Sequence, residues 1–258
     1  MASRFSVEGR VAVVTGGSRG IGRAIAEALA EAGASVAIGS RNAEACEAAA
    51  EEIAGRYGVE TLGLALDLTR ADSIRAFATG VVDHFPAVDI LVNNSGRSWG
   101  ADPWDIPWER WNEVLAVNVT GAWAVSMLFG RGMVERRGGS VINVASVAGL
   151  VGQPTEVLNA LGYATSKAAV IGFTRDLAVK WAPYGVRVNA IAPGFFPTRM
   201  TEGLLRQETV RARIEATVPL GRLGELDDLK GATLFFASDA SAYVTGQVLA
   251  IDGGQTAW

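Results

Sequence analysis

Residues 11–24 read Val11-Ala12-Val13-Val14-Thr15-Gly16-Gly17-Ser18-Arg19-Gly20-Ile21-Gly22-Arg23-Ala24, and this stretch decides the fold. Its first half is apolar and β-rich without polar alternation, as a strand buried on both faces requires. Glycines at 16, 20 and 22 follow at once, then an alanine-rich amphipathic run. Strand, glycine turn and helix in that order let the backbone turn tightly and approach a pyrophosphate. The helix N-terminus then aims its free N–H groups and positive dipole end at the anion. The spacing is G-x3-G-x-G rather than G-x-G-x-x-G, and no Gly-Lys-Ser/Thr follows, so it is not a Walker A loop. A glycine-rich turn without a ligand is the plain alternative. The position directly between a strand and a helix favours a dinucleotide site.

The rest of the chain repeats this alternation. Apolar strand patterns cover Val11–Thr15, Ser35–Ser40, Thr61–Ala65, Ile90–Asn93, Ser140–Ala145, Arg187–Ile191 and Gln247–Ile251. Helical patterns lie at Ile21–Ala32, Ala43–Arg56, Ala71–Phe85, Trp108–Arg131, Ala164–Trp181, Thr201–Ala216 and Asp227–Ala237. Such alternation predicts a doubly wound α/β domain with helices on both faces of a parallel sheet. No linker, repeat or low-complexity segment interrupts it, so one domain is expected over residues 1–258.

Composition narrows the function. Of 258 residues, 49% are apolar and 19% charged, a globular balance; the net charge is −4 and no basic stripe is present, which argues against nucleic acid. No uninterrupted apolar run suggests a membrane span, and the first ten residues lack the hydrophobic region of a signal peptide. A cytoplasmic location is the expectation. Cys46 is the only cysteine and His84 the only histidine, so an internal disulfide, a thiolate metal cluster and zinc hydrolase chemistry are not expected. His84 reads as structural or solvated.

Further candidates sit where strands end. The second strand runs into Ser40-Arg41-Asn42, where an NAD-selective site carries an acid for the ribose 2′-hydroxyl. Arg41 instead can hold a 2′-phosphate through a charge-assisted fork, with Arg19 as a second cation, so NADP(H) is favoured over NAD(H). The alternative is two ordinary surface arginines. Asp67, after the third strand, can accept a bond from the adenine amino group or belong to the cap of the next helix. Asn93-Asn94-Ser95-Gly96 suits a tight turn at the cofactor's edge. Tyr163 and Lys167, four residues apart on a helical pattern, share one face. An ammonium beside a phenol lowers the phenol's pKa from roughly 10 and makes it a proton donor and acceptor for alcohol and ketone chemistry. Ser146 can bond the same substrate oxygen.

With these pieces in order, the chain resembles the short-chain dehydrogenase/reductase family over essentially its whole length. The resemblance rests on Thr15-Gly16-x3-Gly20-x-Gly22, Asp67, Asn93-Asn94-Ser95-Gly96, Asn118, Ser146, Tyr163-x3-Lys167, Pro193-Gly194-x3-Thr198 and the stretch from Tyr243 to Gly254. It implies a Rossmann fold with seven parallel strands ordered 3-2-1-4-5-6-7. It implies Tyr163 as acid/base, Ser146 polarising a carbonyl, Lys167 on the nicotinamide ribose and Asn118 positioning a water in a proton relay. It places Gly16, Ser18, Arg19, Gly20, Ile21, Gly22, Arg41, Asp67, Leu68, Asn93, Gly96, Pro193, Gly194, Phe196 and Thr198 along the cofactor, Thr198 and the backbone near Phe196 at the carboxamide. The expected partner is a small ketone or alcohol, and the expected assembly a homotetramer built on the long helices. Stretches at 40–42, 98–100 and 194–201 resemble the branch holding 3-oxoacyl-carrier-protein-reductase-like and gluconate 5-dehydrogenase-like enzymes. The leading expectation is therefore an NADPH-dependent carbonyl reductase. A sugar-acid or polyol dehydrogenase comes second, and a cofactor-binding regulator without turnover is the remaining class.

Two departures from the family pattern stand out. Ser95 replaces the usual alanine, and Ser146 and Tyr163 lie 17 residues apart, a few more than is common. The extra residues predict a longer loop on the substrate side. Trp99 is a candidate pocket edge; Trp108 and Trp111 read as packing. Phe195, Phe196, Met200 and Leu204 read as an apolar lid. Arg97 can meet an anionic group or remain a free surface arginine. Phe173, Leu177 and Trp181 form a stripe facing the core or a partner.

Overall fold

The computed structural model describes residues 4–257. Its strands are β1 Val11–Thr15, β2 Ser35–Ser40, β3 Thr61–Ala65, β4 Ile90–Asn93, β5 Gly139–Val144, β6 Val186–Pro193 and β7 Val248–Ile251. They form one seven-stranded sheet in the order β3-β2-β1-β4-β5-β6-β7, every pairing parallel. The helices are α1 Gly20–Glu31, α2 Ala43–Tyr57, α3 Ala71–His84, α4 Trp108–Leu115, α5 Ala122–Arg136, α6 Leu161–Trp181, α7 Glu202–Leu205, α8 Glu208–Ala216 and α9 Lys230–Ala237.

The continuous apolar strands are explained by two cores, one on each face. Ala12 and Val14 of β1 turn to the face covered by α1, α2 and α9, with Ile25, Ile53 and Phe236. Val11 and Val13 turn to the opposite face, with Phe77 of α3, Phe129 of α5 and Leu177 of α6. Phe77 and Phe129 meet edge to face at 6.1 Å. Period-2 geometry sends successive side chains to different faces, and here both faces are dry. The stripe on α6 belongs to the second core: Leu177 is buried, Phe173 and Trp181 pack against it, and Trp181 occupies the space where a Cβ on Gly130 would stand.

The helix expected over 108–131 is present and runs on to Arg136, but its middle is not α-helical. α4 and α5 are joined by a π-helical turn, Ala116–Gly121, with Asn118 in it. Such turns recur at functional sites. The run Trp108–Arg136 is long and apolar enough to cross a membrane by length and composition. In this fold its Val125, Phe129 and Met133 lie in the sheet core instead. The helix expected over 201–216 is two short ones, α7 and α8, broken at Arg206-Gln207. His84 sits beside Glu60 at 3.0 Å and against the Phe85 ring, a structural position.

The strand order reverses between β1 and β4. Open α/β sheets bind ligands outside the carboxyl ends of the strands at such a switch point. Thr15-Gly16 and Asn93-Asn94 lie there side by side.

Candidate active site

The glycine turn after β1 takes left-handed backbone at Gly16 (φ 68°) and Gly20 (φ 56°), conformations that glycine adopts without strain. Helix α1 then begins with its N-terminus open. Arg19 at the N-cap offers no side-chain bond to the first turn, and no acidic residue lies in that turn. These N–H groups and the dipole behind them are available to an anion. Asn94 clamps the turn from the β4 side, its amide donating to the carbonyls of Thr15 (2.9 Å) and Gly16 (3.3 Å). The Thr15 hydroxyl accepts from the backbone N–H groups of Asn94 and Ser95, both at 3.0 Å. A Cβ on Gly22 would run into the Gly16 carbonyl and the Asn94 amide. Gly22→Ala is expected to cost about 1–3 kcal/mol through overpacking and to weaken dinucleotide binding at least tenfold. Thermal melts with and without NADPH, together with a binding titration, check this; a variant matching wild type in both would remove the role given to Gly22.

At the end of β2 the Ser40 hydroxyl lies 3.2 Å from that of Ser18 and 3.1 Å from the Cys46 sulfur. Arg19 and Arg41 are exposed, and neither forms an ion pair among the described residues. Asp67 Oδ1 accepts from both the hydroxyl (2.7 Å) and the backbone N–H (2.9 Å) of Thr69. These bonds, with Arg41 adding a weaker pull, hold its carboxyl below the usual range. Half of Asp67 thus serves the local turn. Leu68 is buried beneath Gly121 and can offer a ligand its backbone only.

Asn93 departs further from expectation. Its side chain points into the core, donating to Ser126 Oγ (2.9 Å) and Asn143 Oδ1 (2.8 Å). What it can offer a cofactor is main chain. Gly96 lies in the crevice: a Cβ there would stand 3.7 Å from Lys167 Nζ and 3.8 Å from Asn118 Oδ1.

The proton-transfer candidates come together in front of β5. Ser146 follows that strand directly, and its hydroxyl accepts from the Ala148 N–H at 3.2 Å. It also lies near enough to the Tyr163 phenol to draw that group's pKa down. Lys167 lies one turn along α6, buried, with Nζ 5.6 Å from the Tyr163 ring centroid and donating to the Val144 carbonyl at 2.6 Å. Asn118 is buried in the π-turn; its amide donates to the Arg97 carbonyl (2.9 Å) and Ser166 Oγ (2.8 Å), and its Oδ1 accepts from the Arg97 N–H (2.7 Å). Ser166 in turn donates to the Tyr163 carbonyl at 2.7 Å. Ser166, which holds Asn118 and the Tyr163 backbone, is not singled out by the sequence, and Asn94 is legible there only as part of the Asn93–Gly96 turn. The only signal for Ser166 is adjacency to recognised residues.

The electrostatics correct one expectation. Burial pushes the Tyr163 phenol up, opposed only in part by Ser146. Burial also pulls Lys167 down to about 8. Desolvation thus sets the direction of the phenol's shift, while the Lys167 ammonium is turned to a backbone carbonyl.

On the substrate side, Trp99 is partly buried at the crevice and Trp111 packs its ring against Gly162, next to Tyr163. Trp108, expected as packing, is 73% exposed and Trp104 is 94% exposed. Arg97 is not free: it pairs with Glu113 at 2.6 Å, and Arg110 shares that carboxylate at 3.0 Å. Phe195 and Phe196 are buried, whereas Met200 is exposed. The Phe196 carbonyl accepts from the Thr201 hydroxyl (2.6 Å), which also receives the Thr198 N–H (2.9 Å). Thr198 reaches over the glycine turn, 3.7 Å from a Cβ position on Gly20. Pro193 ends β6, and the Gly194 N–H donates to Ile251 at 3.0 Å.

A dinucleotide fits these residues: an uncapped helix N-terminus for the pyrophosphate, two unpaired arginines beyond β1 and β2, and an open glycine beside Lys167 and Asn118. Among the described residues no cluster of three or more His, Cys, Asp or Glu is arranged to hold a metal. The fold is a Rossmann-type domain that carries an uncapped, glycine-preceded helix N-terminus after β1 and a Ser146, Tyr163 and Lys167 group after β5 and on α6.

A family model described as Enoyl-(Acyl carrier protein) reductase matches residues 16–256. The 3-oxoacyl-(acyl-carrier-protein) reductase FabG of Aquifex aeolicus is 40% identical over 250 residues, 97% of this chain and 98% of the relative. A solved short-chain type dehydrogenase/reductase from Mycobacterium marinum superposes with a TM-score of 0.91 at 37% identity, covering 98% of this chain and 97% of that one. A gluconate 5-dehydrogenase from Burkholderia cenocepacia, solved with NADP and tartrate, gives 0.94 at 34% identity over 99% and 98% of the two chains. The chain belongs to the short-chain dehydrogenase/reductase family and is an oxidoreductase acting on CH–OH or C=O groups.

Proposed function

We propose that the protein is an NADP(H)-dependent oxidoreductase interconverting a ketone and a secondary alcohol, in its leading form a carbonyl reductase of 3-oxoacyl type. The observation that carries this reading is the grouping of Tyr163 with Ser146 and Lys167, the Lys167 ammonium lying beside Gly96. NADPH, when bound there, would supply the hydride that reduces the carbonyl carbon. Tyr163 gives its hydroxyl proton to the carbonyl oxygen, and Ser146 donates a hydrogen bond where charge develops on that oxygen. Lys167 binds the nicotinamide ribose, and Asn118 holds the backbone of residue 97 so that a water can reach the lysine. Pro193, Gly194, Phe196 and Thr198 hold the carboxamide end; Ser18, Ile21, Leu68, Asn93 and Gly96 lie along the cofactor. A homotetramer belongs to this reading, and Trp123, Leu128 and Val179 leave apolar surface on the outer faces of α5 and α6.

The acyl-carrier-protein reductase relative supports the 3-oxoacyl form. The gluconate 5-dehydrogenase neighbour supports a sugar acid as the second reading. A panel of 3-oxoacyl thioesters, simple ketones and keto-gluconates with both cofactors, followed at 340 nm, separates them. Turnover of keto-gluconates alone replaces the leading reading with the second, and tight cofactor binding without any turnover replaces both.

Cofactor choice is tested at Arg41. The Arg41→Asp variant is expected to weaken NADPH about 10–100-fold, the worth of a lost charge-assisted contact plus repulsion, while NADH changes little. Equal weakening of both would remove the 2′-phosphate from Arg41.

A further inference from the structure

The loop between Ser146 and Tyr163 does more than lengthen the chain. After a single turn at Val147–Gly149 it passes through exposed Leu150 and Val151, then folds back at Pro154, whose carbonyl accepts the N–H groups of Val157 and Leu158, both at 2.9 Å. That turn drives Val157 inward until it is 2% exposed. Val157 does not join either core of the sheet. It belongs to a separate apolar cluster with Phe195, Ile214 and Leu223, and Leu204, Leu205 and Val210 pack around it. Every other member comes from the segment that leaves β6 and returns after α8. Two residues later the same loop meets the opposite wall: a Cβ on Gly100 would lie 2.8 Å from the Asn159 carbonyl. Gly100 follows closely on Arg97, whose backbone Asn118 holds. The loop thus spans the substrate side from the lid to the turn after β4, with Ser146 at one end and Tyr163 just beyond the other.

We propose that Val157 is a positioning residue that ties the lid carrying α7 and α8 to the loop joining Ser146 and Tyr163, so that lid closure and the setting of the substrate space occur together. This rests on the ketone reading above. Beyond this cluster the lid is held mainly at its far end, where the Gln255 amide donates to the Thr217 hydroxyl at 3.0 Å and the Leu220 N–H to the Gly253 carbonyl at 3.1 Å; its helices are short, and its ion pairs, such as Arg206 with Glu202 and Arg211 with Glu215, are internal. Segments with few buried apolar contacts open first. Deleting two buried methyl groups shifts such an opening equilibrium on the order of tenfold.

The full-length Val157→Ala variant tests this. Hydrogen exchange of residues 198–216 is expected to quicken about tenfold, and KM for the best ketone of the panel to rise by a similar factor. The kcat and the NADPH Kd should stay within about twofold, and Val157→Ile should restore both exchange and KM. Unchanged exchange and KM would overturn the proposal, as would a uniform loss across KM, Kd and thermal stability, which marks mere packing. If wild type turns over no substrate of the panel, the ketone reading fails. The exchange measurement still decides whether Val157 holds the lid.

Discussion

Replacing Tyr163 with phenylalanine is expected to lower ketone-dependent NADPH oxidation by about 10²–10⁴-fold, the usual worth of a positioned acid, while the NADPH Kd stays within about twofold. The substitution removes one oxygen and leaves the ring, with Lys167 Nζ 5.6 Å from its centroid, in place. Ser146 keeps its bond from the Ala148 N–H, so the turn that presents it survives. The direction of the phenol's pKa adds a second test. Burial favours the neutral form, so the free protein enters the reduction with its proton in hand across neutral pH. Reduction should therefore stay level with rising pH until the raised pKa is passed. Alcohol oxidation, which needs the phenolate, should climb over the same range. Steady-state rates in both directions over pH 6–10 measure this. A Phe variant keeping more than about a tenth of the activity would remove Tyr163 from the acid role.

The parts of this molecule legible from sequence are those where one local rule suffices. Strands β1 to β4 stand where their apolar runs placed them; β1, β2 and β4 are buried along most of their length, while the edge strand β3 is only half-buried. The glycine turn was legible because left-handed backbone at Gly16 and Gly20 selects the residue type. What escaped was tertiary. Nothing in Ala116-Val-Asn-Val-Thr-Gly121 announces a π-turn, since the apolar period passes through it unbroken. Asn93 looked like a turn residue and is a core residue, because its partners Ser126 and Asn143 are 33 and 50 positions away. The apolar character of Phe195 and Phe196 is legible, but not that Phe195 joins Val157, Ile214 and Leu223 while Phe196 joins the first sheet core, because those partners are distant in sequence. The phenol's pKa belongs with these. Spacing places a cation near it, and only the packed structure shows that Lys167 is buried and that desolvation governs the phenol.

That dryness makes Lys167 the residue whose removal should reveal most about how the site is held. It is 4% exposed, and the hydrogen bond recorded for its ammonium is to the Val144 carbonyl, not to a carboxylate. Burial lowers it to about 8, whereas an unfolded lysine titrates near 10.4. Between those values the unfolded chain binds more protons than the folded one, so stability rises with pH across that window and is penalised below it. The penalty at pH 7 is about 3 kcal/mol. Lys167→Met keeps the length of the side chain and removes the charge, at the cost of leaving the Val144 carbonyl without its donor. That second effect does not depend on pH, and the first does. Measured without cofactor, the Tm of the variant relative to wild type should therefore fall by about 6–12 °C between pH 7 and pH 10, as wild type is relieved of its charge and the variant is not. The variant should also lose the ribose contact and with it most turnover. A Tm difference that stays level across that range would mean that the ammonium is not strained by its surroundings. Lys167 would then be an ordinary buried hydrogen-bond donor rather than a charge maintained against the fold's own preference for the sake of the reaction.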